Sequence, residues 1–113
     1  MIERIVKSHM EKALNVPVYM EVPANMPETF VTLEKTGSGR SNCIDSATFA
    51  VQSWAGSLLA VAELNQQAKK AMDSLIEEAE IARSRLNSDY NFTDTSTKKY
   101  RYQAVYDLTY YEE

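Results

Sequence analysis

The sequence predicts an α+β fold, an antiparallel or mixed β-sheet of about five strands with two helices packed on one face. The first of three observations is the stretch Asn42–Ala82, where a β-branched and aromatic run gives way to a helical apolar period. An amphipathic pattern over Met1–Leu14 predicts another helix, and a strict alternation over Lys99–Tyr111 predicts a final strand. The resulting order is α-β-β-β-α-β-β, in one domain of 113 residues.

The N-terminal third of the chain predicts one helix and two strands. Apolar residues recur at helical spacing through Met1–Leu14, and Pro17 prevents the helix from continuing. Val18–Val22 reads as a short strand, and the prolines on both sides of it suit an edge position. After a turn, the composition of Phe30–Thr36 predicts a second strand.

The middle of the chain predicts a loop, a long strand and the longest helix. Gly37–Asn42 contains two of the three glycines, so we expect a mobile loop that projects from the domain. Asn42–Trp54 has no glycine or proline and predicts the long strand. Ser57 is a suitable N-cap, and the apolar residues from Leu58 to Ala79 lie on one side of a helix.

The C-terminal part predicts a β-hairpin rich in tyrosine. Arg85–Phe92 and Lys99–Tyr111 form its strands, and the polar residues between them predict a turn. One face of the last strand is mostly aromatic and apolar: Tyr100, Tyr102, Ala104, Tyr106, Leu108 and Tyr110. Such a face is either covered by the helices or used as an interface, because tyrosine is enriched in both settings. Tyr111 has the opposite parity and is the better interface candidate.

Composition excludes several classes of function. The formal net charge of −4 argues against a general nucleic-acid binder. A single cysteine allows no internal disulfide, so we expect folding in a cytoplasm. The N-terminal residues show no signal-peptide pattern, and no run approaches the about 20 apolar residues of a membrane span.

Catalytic and metal-binding patterns are missing from the sequence. His9 and Cys43 are too few for the usual zinc sites, and we expect them to pack on a helix and in a strand. The segment Thr36–Asn42 lacks the spacing and the lysine of a Walker phosphate loop. No pair of carboxylates stands out as a general acid and base. We therefore expect no enzyme, no cofactor and no metal.

The order of these elements and several phrases resemble a known family. The phrases are VPVYMEVP (Val16–Pro23), FVTLEKTG (Phe30–Gly37), DSATFAVQSWA (Asp45–Ala55) and LNSDYNFTDTSTKKYRYQAVYDLTY (Leu86–Tyr110), with the helix Ser57–Met72 between the last two. In this layout the chain resembles the small tail-terminator and tail-completion proteins of long-tailed bacteriophages and of prophages in Gram-positive bacteria. The similarity spans nearly the whole chain, with no catalytic signature in it.

The resemblance implies a structural role in the virion. Subunits of this family form a homo-oligomeric ring, commonly a hexamer, that caps the tail tube, contacts the tail tube protein and offers a docking surface to head connector proteins. DNA only passes through the lumen, and no membrane is involved. The acidic balance of this chain suits a lumen that must not hold DNA. Such a protein would occur in the host cytoplasm during assembly and then in the tail or neck.

A closed ring joins one patch of a subunit to a different patch of the next, which directs attention to exposed segments. The candidate interface residues are Arg40, Ser41, Asn42, Lys98, Tyr110 and Tyr111. For each of these segments the alternative is an ordinary exposed loop.

Two alternatives to the ring remain open at the level of sequence. One is a neck or head-completion protein that binds the portal side, since such proteins share the size and the α+β composition. The other is a small ligand-binding or enzymatic α+β domain with a pocket between helix and sheet.

Overall fold

A computed structural model describes residues 1–94, 96 and 99–111 and contains two helices and one five-stranded sheet. The elements in chain order are α1 (Ile2–Ala13), β1 (Val18–Tyr19), β2 (Phe30–Ser41), β3 (Ile44–Ala55), α2 (Leu58–Asp73), β4 (Ile81–Asn91) and β5 (Tyr100–Tyr110). A short 3₁₀ helix, Ser74–Glu77, follows α2 directly. This is the predicted α+β class, and the predicted order of helices and strands is confirmed.

The sheet has the strand order β1-β2-β3-β5-β4. β1 runs parallel to β2, whereas the other three pairings are antiparallel, so the sheet is mixed. The last strand, β5, therefore lies between β3 and β4, and β4 occupies one edge of the sheet. The predicted hairpin between the last two strands is present as the β4–β5 pair.

Both helices pack on one face of the sheet, which we call the covered face. The buried side chains of α1 and α2 share one apolar cluster with alternate residues of the long strands, as the period of two requires. On this face the Tyr106 hydroxyl donates toward Asp73 Oδ1 at 2.8 Å and the Lys69 carbonyl at 3.1 Å. The fully buried large side chains of the core include Ile2, Val6, Met10, Leu33, Phe49, Val51, Met72, Leu75, Tyr106 and Leu108.

The predicted mobile loop at Gly37–Asn42 is wrong. Gly37–Ser41 belongs to β2, which pairs with β3 up to Ser41 opposite Ile44. Pairing with a regular partner strand outweighs the weak intrinsic strand preference of glycine and serine, and a bulge at Thr36 accommodates the change of register. The reversal of direction is confined to Asn42 and Cys43, whose φ angles are 53° and 65°.

Several predicted boundaries are also corrected. β3 begins at Ile44, so Asn42 and Cys43 lie in an exposed turn instead of the long strand. β1 ends at Tyr19, short of the predicted Val22. The helix that begins after the Ser57 cap ends at Asp73, because Ser74 Oγ donates to the Ala71 carbonyl and the chain tightens into the 3₁₀ helix. The apolar pattern of the sequence continues past Asp73 because Leu75, which belongs to the 3₁₀ helix, is also buried in the core.

Candidate interaction surfaces

The β2–β3 turn forms one end of the molecule, which we call the hairpin end. Positive φ angles at both Asn42 and Cys43 are typical of a two-residue type I′ turn, and asparagine tolerates this conformation well. The register of the sheet aligns Arg40, Asp45 and Tyr110 in one row across three strands. The molecule measures 45 × 24 × 23 Å, so the hairpin end is well separated from the opposite end, where Phe30 and Trp54 lie.

The structure brings most of the sequence candidates to the hairpin end. Arg40, Ser41 and Asn42 are exposed there, and Arg40 Nε lies 3.7 Å from Asp45 Oδ1. Tyr111 is 54% exposed, but Tyr110 is 5% exposed and belongs to the core, which leaves its ring unavailable to a partner. Lys98 lies outside the described residues. The hairpin end is thus a polar tip with one accessible aromatic ring beside the sheet.

The sheet face opposite the helices, which we call the open face, carries a row of side-chain hydrogen bonds. Trp54 Nε1 donates to Thr32 Oγ1 at 3.2 Å, and Thr32 donates in turn to Gln52 Oε1. Gln52 Nε2 donates to Gln103 Oε1 at 2.7 Å, and Gln103 donates to the Tyr90 hydroxyl. The row crosses all four long strands, so the polar groups of this face are largely occupied with one another.

At the end of the open face away from the hairpin tip, aromatic rings stack with one arginine. Phe30 lies parallel to Trp54 with ring centroids 5.3 Å apart. The Arg101 guanidinium sits 4.6 Å from the Trp54 ring centroid and 4.3 Å from that of Phe92. Tyr90 meets Phe92 edge to face. The guanidinium thus lies between two rings, an arrangement stabilised by cation–π attraction.

Both edges of the sheet have long stretches without a partner strand. β1 covers β2 only at Val31 and Thr32, so the outer edge from Leu33 to Ser41 is unpaired within the described part of the chain. β4 pairs with β5 on one side alone. Such edges present unpaired backbone N–H and C=O groups and are ready templates for another strand.

The two edges carry opposite unpaired charges. Arg83 and Arg85 on β4 have neither a hydrogen bond nor an ion pair with another described residue, and the same holds for Glu34 on β2. All three side chains are exposed. A groove of about 440 Å³ on the open face is lined by Arg83, Arg85, Leu86, Asn87, Asp107 and Thr109.

His9, a residue of α1, is buried where α1 packs against the end of α2. Its Nδ1 lies 2.8 Å from Glu78 Oε2 and must donate there, because a carboxylate only accepts. Its Nε2 faces Ser74 Oγ and the Ala71 carbonyl. The hydrogen bond from His9, followed by the charge of Lys12, lowers the pKa of Glu78. This cluster joins α1 to the 3₁₀ helix, which is the packing role expected for His9.

Sequence reasoning missed the functional groups of the open face and the edges. Trp54 and Arg101 are neighbours only because β5 lies next to β3, and nothing local in the sequence indicates that pairing. The predicted strand begins at Arg85 and excludes Arg83, whereas β4 begins at Ile81. An available signal was the lone tryptophan of the chain, since one such side chain near a strand end often anchors a cluster.

Comparison with protein-family models and with curated proteins found no match to this chain. Among the described residues, no group of three or more His, Cys, Asp or Glu side chains could hold a metal ion. None of the described helices combines the length and apolar character needed to cross a bilayer. The surfaces above are therefore the features on which a functional proposal can be based.

Proposed function

We propose that this protein is a structural component of a bacteriophage head–tail junction, where copies close into a ring that caps the tail tube and offers a docking surface to the head. The proposal starts from the resemblance of the sequence to tail-terminator and tail-completion proteins. It assigns the chain a role in binding and assembly, without catalysis or a cofactor. Its partners would be further copies of itself, the tail tube protein and head connector proteins.

The observation that carries the proposal is the shape of the sheet. A subunit of such a ring needs two lateral surfaces for its neighbours and two ends, one for the tube and one for the head. Among the described residues, the molecule has two long stretches of sheet edge that lack a partner strand. It also has two separated ends along its 45 Å axis, the polar hairpin tip at one and the aromatic–arginine stack at the other.

The proposal is tested with tail tubes from the phage or prophage that carries the gene. Tubes are mixed with the purified protein, and more tube protein is then added while tube length is followed by electron microscopy. We expect tubes exposed to the protein to stop growing, because a bound ring blocks the end where subunits add. A fluorescent or gold maleimide label on Cys43, the single cysteine and an exposed one, should appear at one end of each tube.

Two controls make the result decisive. Tubes without the protein must continue to lengthen, and labelled protein that has been heat-denatured must not decorate tube ends. Continued growth at the control rate, with no label at either end, would contradict the capping role. Binding to purified portal or connector complexes in place of tubes would instead support the neck or head-completion alternative.

A further inference from the structure

The directions of the strands determine how the two free edges can meet. From β2 to β4 each neighbouring pair in the sheet is antiparallel, so β2 and β4 run in opposite directions. A rotation about an axis roughly along the strands keeps strand direction, and it would place β4 of one copy beside β2 of the next. The new pair would be antiparallel, which is the more stable kind of ladder.

Both edges have regular stretches long enough to pair. Beyond the bulge at Thr36, the free edge of β2 continues regularly from Gly37 to Ser41. A Cβ added at Gly37 would meet no atom within 4 Å, so the face of the sheet is uncrowded at this position. On β4, the register is regular from Arg83 to Leu86, and Leu86 is 40% exposed although it is a large apolar side chain.

Charge favours the meeting of unlike edges over the meeting of like ones. A two-fold pairing of β4 with β4 would gather four arginines, Arg83 and Arg85 from each copy, on one side of the interface. A two-fold pairing of β2 with β2 would bring two copies of Glu34 together. Pairing β4 with β2 in the same rows instead sets Glu34 opposite Ser88 and diagonal to Arg85, while Arg83 lies opposite Gly39. Opposite charges at diagonal positions of neighbouring strands stabilise the pair.

We propose that copies of this chain associate head to tail by β-strand addition, the free edge of β4 in one copy pairing antiparallel with the free edge of β2 in the next. Glu34 of the second copy lies diagonal to Arg85 of the first, beside the groove on the open face. The sheets of successive copies become one continuous sheet. This inference rests on the proposed ring only in that it takes a second copy as the occupant of each edge.

The test uses charge reversal at the two edges and measures association by sedimentation over a series of protein concentrations. The wild-type chain should self-associate. We expect E34R alone, and R83E/R85E alone, to weaken association by about tenfold or more, because each places like charges across the pair. A mixture of the two variants in equal amounts should recover wild-type association. When β2 of the E34R variant meets β4 of the R83E/R85E variant, the two reversed charges are again opposite in sign. When β2 of the R83E/R85E variant meets β4 of the E34R variant, both edges carry their wild-type residues.

Matched variants separate this effect from a general effect of charge. Glu63 and Arg4 are exposed helix residues without a partner among the described residues, so E63R and R4E should associate like the wild type. The neutral variants E34Q and R83Q/R85Q should weaken association less than the reversals, and they replace the reversals if one of these fails to fold. High salt should weaken wild-type association in the same direction.

Four results would overturn the proposal. These are a wild-type chain that stays monomeric at every concentration, reversals without effect, a mixture that does not recover, and an R83Q/R85Q variant that associates more tightly while E34R is neutral. The last result would identify a two-fold β4 dimer. Capping of tail tubes is measured independently, so wild-type capping with neutral edge variants would reject this interface and leave the proposed function in place.

Discussion

The two faces of the sheet are stabilised by different kinds of interaction, although the same strands build both. On the covered face, Phe49 of β3 is fully buried among apolar side chains beneath the helices. Gln52 lies three residues after Phe49 in β3, on the open face, and is half-buried. It accepts a hydrogen bond from Thr32 and donates one to Gln103. Burial of a large apolar side chain contributes several times the net free energy of one such hydrogen bond. The covered face should therefore determine stability, and the open face can vary to suit partners.

The largest expected difference between the faces comes from truncating one residue on each. Phe49→Ala should lower the free energy of unfolding by about 3–5 kcal/mol, because it removes a buried ring and leaves a cavity. Gln52→Ala should cost about 1 kcal/mol, the net value of a side-chain hydrogen bond. Urea denaturation followed by circular dichroism measures both. Equal losses at the two positions would show that the open face is as much a part of the core as the covered one.

A smaller effect is expected from the arginine that stacks on the open face. Arg101→Ala should lower the free energy of unfolding by about 1–2 kcal/mol, because it removes the attraction to Trp54 and Phe92. The emission of Trp54, the single tryptophan, should also shift to longer wavelength as its ring becomes more exposed to water. Arg101→Lys keeps the charge but loses the planar stack, so its stability should lie between that of the wild type and that of Arg101→Ala. If the alanine and lysine variants behave alike, charge alone does not explain the contact and planar stacking is what matters.

The smallest expected effect is the pH dependence of the cluster behind the covered face. Hydrogen bonding to His9 lowers the pKa of Glu78 below its ordinary value of 4.5, so its ionised form is favoured in the folded state. The stabilisation is therefore complete above that ordinary value and is lost as the pH falls through the lower pKa of the folded protein.

Glu78→Gln tests this dependence. The difference in stability between the wild type and Glu78→Gln should be greatest at neutral pH and should shrink on acidification below pH 4.5. Glu77→Gln is the matched control, since Glu77 is exposed and without a partner among the described residues. Thermal unfolding over a series of pH values measures both. A constant difference at all pH values would mean that the Glu78 carboxylate is not held by His9 in the folded protein.

The sequence was sufficient for the fold wherever the information is local. The periods of 3.6 and 2 predicted both helices, the last hairpin and the apolar and aromatic face of β5. Of the two roles left open for that face, the structure shows burial for Ala104, Tyr106, Leu108 and Tyr110, which are all in the core. The Ser57 cap was also predicted, and its Oγ accepts from the Ala60 amide at 3.1 Å. The Gly37–Asn42 segment was mispredicted because its strand conformation is imposed by β3, a partner that composition does not reveal.

The interaction surfaces could be predicted only in part for the same reason. Arg40, Ser41 and Asn42 are consecutive, so their shared location at the hairpin end needed no tertiary information. The Trp54–Arg101 contact and the opposite charges on the two edges depend on the strand order β1-β2-β3-β5-β4. Alternating sequence patterns assign residues to faces, but they do not say which strands are neighbours or which strands lie at the edges.

The central place of β5 also governs when this chain can fold during its own synthesis. The ribosome makes β5 after the other four strands, yet within the sheet β3 and β4 are connected through β5. Until that segment has left the exit tunnel, the apolar sides of β3 and α2 lack Tyr106 and Leu108, with which they form the core. Folding is therefore completed after translation of β5, and the nascent chain must be kept from aggregating for that interval. The proposed strand addition between copies would then require finished subunits, since β4 pairs with β5 alone in the sheet.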